Sequence, residues 1–346
     1  WPCKWFYSID RRSDLLRSLG KSRRIYQRFS ALYRSLFFRD LIAGSFESHK
    51  RIGEQKDKIL FKGLILMFKH EICGKSFDME RALCKLEDTA LRNCVFAGPT
   101  DGESPLKHPQ NILVENCSFS LRYPLWHADR FELWKCRLDE KARAALWYCF
   151  NGKILDSVLG GIKALRDCQN ILLERCLINS PEFGWKCRGI TVNDSTLEAE
   201  YVFLDTQDLY LKNLKQNGKY SFQYCRDIVI ENSVLDTKDA FWHSENVTVR
   251  NSVIKGEDLG WFSTNLVLEN CEIEGTQPLC FAKDLILKNC TMKNTDLAFE
   301  ESSVRAEIRG SVLSVKNPLS GSILADDYGE IIEEEPGRAS ILKRKE

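Results

Sequence analysis

Carboxylates, a histidine and aromatic rings crowd one stretch of this chain. Asp239 and Asp258 stand 19 residues apart, Asp205 lies upstream of them, and Tyr224 and His243 are interleaved. Two carboxyl groups held close perturb each other's pKa, so one can hold a proton that the other has lost. General acid/base attack on a glycosidic bond uses such a pair. Asp239, Asp258, Asp205 and His243 are therefore the candidate catalytic groups. Asp239 is the candidate proton donor, because Phe241 and His243 follow it closely and Asp258 comes one repeat later. Tyr201, Tyr220, Phe222, Tyr224 and Phe262 offer rings on which the C–H faces of sugars can stack. An elimination reaction needs instead a base and a cation to hold a uronate, and Arg143, Lys163 and Lys186 can contribute there. The chain has no G-x-G-x-x-G, Walker loop, G-x-S-x-G, H-E-x-x-H or C-x-x-C pair, and its five histidines are scattered. Nucleotide and zinc chemistry are set aside, and neither cofactor nor metal is expected.

A repeat must position these groups. Asp227-Ile-Val-Ile-Glu-Asn-Ser-Val-Leu235 returns as Asn246-Val-Thr-Val-Arg-Asn-Ser-Val-Ile254, 19 residues later. Anchored on the Cys or Ser after the frequent Asn, the copies fall at Cys94, Cys117, Cys136, Ser157, Cys176, Ser195, Leu214, Ser233, Ser252, Cys271, Cys290 and Ser311. Nineteen residues are too few for a strand plus a standard helix and suit one coil of short strands. At 346 residues the chain also exceeds the usual single globular core, which favours an array growing in one dimension.

The columns around the anchor have fixed chemistry. Positions three before it (Leu173, Val192, Ile230, Leu268) and two after it (Ile178, Leu235, Ile273) are apolar, with Gln216 the exception. Asn and Asp recur at six before and one before, where turns tolerate left-handed φ. A third column, eight before the anchor, is small: Cys149, Cys168, Thr206, Ser244. These columns predict an all-β, right-handed single-stranded parallel β-helix of about twelve coils. Leucine-rich repeats are the rival at this period, but the other half of each coil lacks spaced leucines for a helix.

The segment before the small column reads as a strand with alternating faces. Its inward set includes Trp126, Trp147, Trp185, Trp242 and Trp261. Its outward set runs Tyr123, Leu125, His127; Tyr201, Phe203, Asp205; Tyr220, Phe222, Tyr224; Asp239, Phe241, His243. Rows of exposed rings bordered by acids form an elongated groove on one outer face. In the alternative phase a bulge turns the Phe and Leu column inward and the tryptophans outward.

Residues 1–66 lack the repeat. They carry 15 Lys and Arg against 6 Asp and Glu, a net +9, which leaves the rest at −8. Arg11 to Phe38 has the apolar spacing of a basic amphipathic helix. The stretch is either an α-helical N-terminal extension or misread upstream sequence, since the first methionine is Met67. The repeat domain is assigned to 67–317 and a C-terminal cap and tail to 318–346. Fourteen cysteines without a secretory h-region, and no 18-residue apolar run, point to a reducing, cytoplasmic setting with no transmembrane segment.

Gly102-Glu-Ser-Pro-Leu106, Tyr123-Pro-Leu-Trp126, Ala142-Arg-Ala-Ala-Leu-Trp-Tyr148, Lys238-Asp-Ala-Phe-Trp242, Leu259-Gly-Trp261, Gln277-Pro-Leu-Cys280 and Asp296-Leu-Ala-Phe-Glu300 come in that order. Together they resemble a bacterial family of proteins without assigned activity that has the pectin-lyase-like right-handed parallel β-helix fold, over about residues 67–324. The resemblance implies that fold and, by analogy of fold alone, a carbohydrate substrate class. The expected function is action on an oligo- or polysaccharide, as a lyase, hydrolase or epimerase. The alternatives are a non-catalytic glycan-binding module and a protein-interaction scaffold. No nucleic acid is expected as a partner.

Overall fold

The structure is a computed structural model that describes residues 68–99, 102–334 and 338–345. The N-terminal helix expected between Arg11 and Phe38 lies outside these residues. The central turns each contribute one six-residue strand, among them Gln169–Glu174, Arg188–Asn193, Gln207–Lys212, Arg226–Glu231 and Glu245–Arg250. Each pairs in parallel with its copy one repeat later, in the register Ile171 to Ile190, Leu209 to Ile228 and Val247 to Leu266. A shorter strand follows in these turns, two residues long at Leu177–Ile178 and five at Val234–Lys238. The strand pairings are parallel throughout, and the chain forms a parallel β-helix of about 14 turns. That is more than the twelve anchors suggest. His70–Cys73 pairs ahead of the first anchor, and Ser320–Ala325 and Ala339–Lys343 carry the sheet on past the last. The described residues include no helix, which removes the leucine-rich-repeat alternative.

Period-two patterning on the long strands explains the interior. Leu173, Val192, Ile230 and Leu268, and Leu197, Leu235 and Ile273 on the short strands, are wholly buried. Stacking also explains why Ser and Cys interchange at the anchor. Ser157 Oγ accepts the N–H of Cys136 at 3.0 Å and donates to the Leu155 carbonyl at 2.7 Å, and Ser195 repeats this two turns later. The Cys176 thiol reaches the Ile154 carbonyl at 3.3 Å. The 13 described cysteines are free and 11 of them are buried, as side chains stacked in parallel rather than facing each other require. Burial pushes the Cys136 thiol up to about 12. The Asn column before the anchor is left-handed, with φ of 50° at Asn232 and 53° at Asn270. Its amides form a ladder, Asn289 donating to Asn270 at 2.7 Å and Asn270 to Asn251 at 3.2 Å.

The corner before the small column is not the pleated strand that alternation predicts. Every second residue is left-handed: φ is 60°, 62° and 56° at Tyr220, Phe222 and Tyr224, and 53°, 62° and 52° at Asp239, Phe241 and His243. Such a run curves continually, so neighbours share a face instead of alternating across a sheet. The middle column (Leu125, Leu146, Leu165, Phe203, Phe222, Phe241) is therefore buried in the core, not outward. The tryptophans are half-buried at the surface, not interior. The alternative phase holds for those two columns, while the column of His243 stays on the outside and that of Tyr201 is exposed at Tyr201 but buried at Ala144 and Asp239.

The tryptophans have a structural duty of their own. The indole N–H of Trp126 donates to the Ala144 carbonyl at 2.7 Å, Trp147 to Lys163 at 2.6 Å, Trp242 to Asp258 at 2.8 Å and Trp261 to Gln277 at 2.8 Å. Each indole thus satisfies a corner carbonyl of the following turn, which the curved run leaves without a backbone donor.

Candidate functional site

The left-handed residue that opens each corner forms one row along the coil axis. Read along the axis it runs Lys163, Glu182, Tyr201, Tyr220, Asp239, Asp258 and Gln277, one residue per rung, about 4.8 Å apart. Asp239 and Asp258 are thus direct neighbours in the row, one rung apart. Asp239 is only 4% exposed, so it does not face outward as the pleated reading requires. Burial pushes its carboxyl up to about 6. The Lys238 ammonium pulls it back, and Asp258 and Glu257 add to the rise. Asp258 is raised as well, by burial first and then by Glu257.

Groups that the sequence reading passed over frame the pair. Lys238 and Glu257 form an ion pair beside it. Gln223 takes the place of a tryptophan in its column, and its amide reaches the Asp239 carbonyl at 3.5 Å, while Trp242 holds the Asp258 carbonyl. The departure of Gln223 from the Trp column is the signal that could have found it.

The remaining candidates separate from the pair. His243 is exposed in the neighbouring row, stacked between Tyr224 at 5.0 Å and Phe262 at 4.9 Å, and Phe281 continues the stack at 5.0 Å. Asp205 lies in that same row, two rungs before His243, and is exposed. It does not join Asp239 and Asp258. Tyr201 and Tyr220 stack at 4.7 Å in the acid row and lead up to Asp239. Phe222 is 0% exposed and cannot serve as a platform. The other rings are accessible, but their faces are packed on one another. What Tyr201, Tyr220, Tyr224 and His243 offer outward is ring edges, hydroxyls and imidazole nitrogens rather than flat stacking surfaces. Arg143, Lys163 and Lys186 lie three to five rungs from the acid pair, about 14–24 Å along the axis, and the fold does not bring them to it. Lys163 is paired with Glu182 at 3.6 Å.

Two further features bear on ligands. A shallow hollow of about 410 Å³ is lined by Asn151, Lys153, Asn170 and Thr191 of the long strands, away from the acid pair. Among the described residues no group of three or more His, Cys, Asp or Glu is placed to hold a metal ion, and no helix is long and apolar enough to cross a membrane.

A family model described as protein of unknown function (DUF3737) matches residues 70–342. Comparison with curated proteins gives no sequence match. Among solved structures, the chain is similar to the A-module of a mannuronan C-5 epimerase from Azotobacter vinelandii, at 11% identity and a TM-score of 0.33, over 80% of this chain and 89% of that one. It is also similar to a polygalacturonase from Erwinia carotovora subsp. carotovora, at 9% identity and a TM-score of 0.30, over 80% and 96%. A third is an Escherichia coli bacteriophage tailspike mutant in complex with a pentasaccharide, at 9% identity and a TM-score of 0.34, over 83% and 73%.

Proposed function

The chain belongs to the DUF3737 family, and we propose that its working surface is the corner row around Asp239 and Asp258, acting on an oligo- or polysaccharide. The observation that carries this reading is the carboxyl pair on adjacent rungs, with burial pushing the Asp239 carboxyl up to about 6. A group of that pKa still exchanges its proton near neutral pH, which is what general acid/base work asks for. The hydroxyls of Tyr201 and Tyr220 in the same row, and of Tyr224 in the next, suit the hydroxyls of a sugar chain laid along the axis.

Acids on adjacent rungs with Lys238 beside them suit a reaction that gives and takes a proton at one place, elimination or epimerisation at a uronate, with Lys238 as the adjacent cation. Binding without turnover is the second reading, and the 4% exposure of Asp239 favours it.

A glycan array and a turnover screen on wild type, Asp239→Asn and Asp258→Asn test this, with ultraviolet absorbance reporting a new C=C bond and NMR reporting inversion at carbon. Turnover lost in the variants with binding kept supports the enzyme. Binding without turnover in all three supports the module. If wild type touches no glycan, both readings fail and a protein-interaction scaffold is left.

A further inference from the structure

The core behind the acid pair is polar where every neighbouring turn is apolar. Gln216 occupies the inward column that holds Leu197 one turn earlier and Leu235 one turn later, and it is 2% exposed. Its amide donates to Ser221 Oγ at 2.8 Å, and Thr237 Oγ1 donates to the same oxygen at 3.0 Å. Ser221 is 0% and Thr237 2% exposed. Ser221 sits where the adjacent turns have Val202 and Ala240, and Thr237 where they have Gly218 and Gly256. The other end of the Gln216 amide, Oε1, has no hydrogen-bond partner. Turning the amide over leaves its other end unpartnered instead.

These three side chains converge at the acid pair. Thr237 is two residues before Asp239. Ser221 follows Tyr220, whose N–H bonds the Lys238 carbonyl at 2.8 Å, and the Ser221 carbonyl accepts the Phe241 N–H at 3.1 Å. The cluster therefore lies beside Asp239, on its own rung and the one before it. A buried acceptor without a partner is costly, and an apolar residue of similar shape would fit the column better. Two departures from apolar columns and one from a column of glycines, meeting beside the least exposed carboxylate of the row, are the mark of a site that trades stability for function.

We propose that Gln216, Ser221 and Thr237 hold an internal water at the free end of the Gln216 amide and act as positioning residues that keep the inner side of Asp239 hydrated. The role of Asp239 rests on the reading above, but the hydrated floor does not. Lys238, Glu257, Asp258 and Tyr220 are the charged and titratable groups that face Asp239, and none of them belongs to the cluster.

The test uses the full chain. A high-resolution crystal structure should show an ordered water within hydrogen-bonding distance of the Gln216 amide. Carboxyl NMR titration of Asp239 should then show its pKa rising by about one unit, a tenfold gain in proton affinity, in Gln216→Leu and in the near-isosteric Thr237→Val. Thermal melts confirm that each variant is folded, and Thr237→Val keeps the test available should Gln216→Leu misfold. A dry Gln216, or an Asp239 pKa unmoved in a folded variant, overturns the proposal. Neither outcome depends on glycan turnover, so failure here is distinct from failure of the proposed function.

Discussion

Replacing Asp239 by Asn should make the protein more stable at neutral pH and leave it unchanged in acid. The folded state holds the Asp239 proton more tightly than the unfolded chain, raising the carboxyl from the ordinary 3.8 to about 6. Stability is therefore highest below the unfolded pKa and is lost as pH rises through the window between about 4 and 6. Two units correspond to about 3 kcal/mol at ~1.4 kcal/mol per unit. Asp258, Lys238 and Glu257 on the outer side of the pair are in contact with solvent, which screens the pair and reduces the expected effect to about 1–2 kcal/mol. Asn is close in size to Asp and cannot ionise. Urea unfolding of both proteins at intervals from pH 4 to 8 measures the difference directly. The comparison cancels carboxylates such as Asp156 and Glu269, which ion pairs hold below their ordinary range and which lose stability in the opposite direction, as pH falls. Equal stability near pH 4 and an excess of about 1–2 kcal/mol for the variant at pH 7.5 is the expected result. A variant less stable than wild type at pH 7.5, or a difference that does not vary with pH, refutes the reasoning.

Trp242→Phe keeps the ring stacked on Trp261 at 5.6 Å and removes only the indole donor to the Asp258 carbonyl, so it should cost about 1 kcal/mol in denaturant unfolding. An unchanged midpoint would show that water replaces the indole there. Alkylation followed by mass spectrometry should label Cys73 and Cys84 first among the described cysteines, because the other 11 are buried. Early labelling of Cys176 or Cys225 would contradict the stacked thiol columns.

The long strands were legible because two facts agreed: a fixed period and apolar positions such as Leu173, Val192 and Leu268 at every copy. The Asn column was legible for a different reason, since Asn is one of the few residue types that accept a left-handed φ readily. The corner was not. Phe222 and Phe241 give no local hint of positive φ, and tertiary burial of their rings overrides their backbone preference. Reading the corner as pleated put Phe222 on the wrong side and Asp239 too far out. The neighbourhood of Asp239 and Asp258 survived that error, because two residues one period apart stack whatever the local backbone. Lys238, Glu257 and Gln223 were missed because they matter through the next rung, which spacing alone does not weigh.

The left-handed corners also bear on how this protein folds. In the turn from Tyr220 to Lys238, five residues other than glycine carry positive φ: Tyr220, Phe222, Tyr224, Asp227 and Asn232. At roughly 1 kcal/mol each, somewhat less for Asn and Asp, a single coil begins several kcal/mol in deficit before it touches a neighbour. The offset comes only from the rungs on either side, through the Asn ladder, the Phe stack and the indole bonds, all of which reach across about one repeat. A lone coil is therefore not a viable nucleus, and the array must condense several rungs at once. Its melting should be one steep transition with slow kinetics on both limbs, in contrast to solenoids whose repeats are each close to stable and fray from their ends.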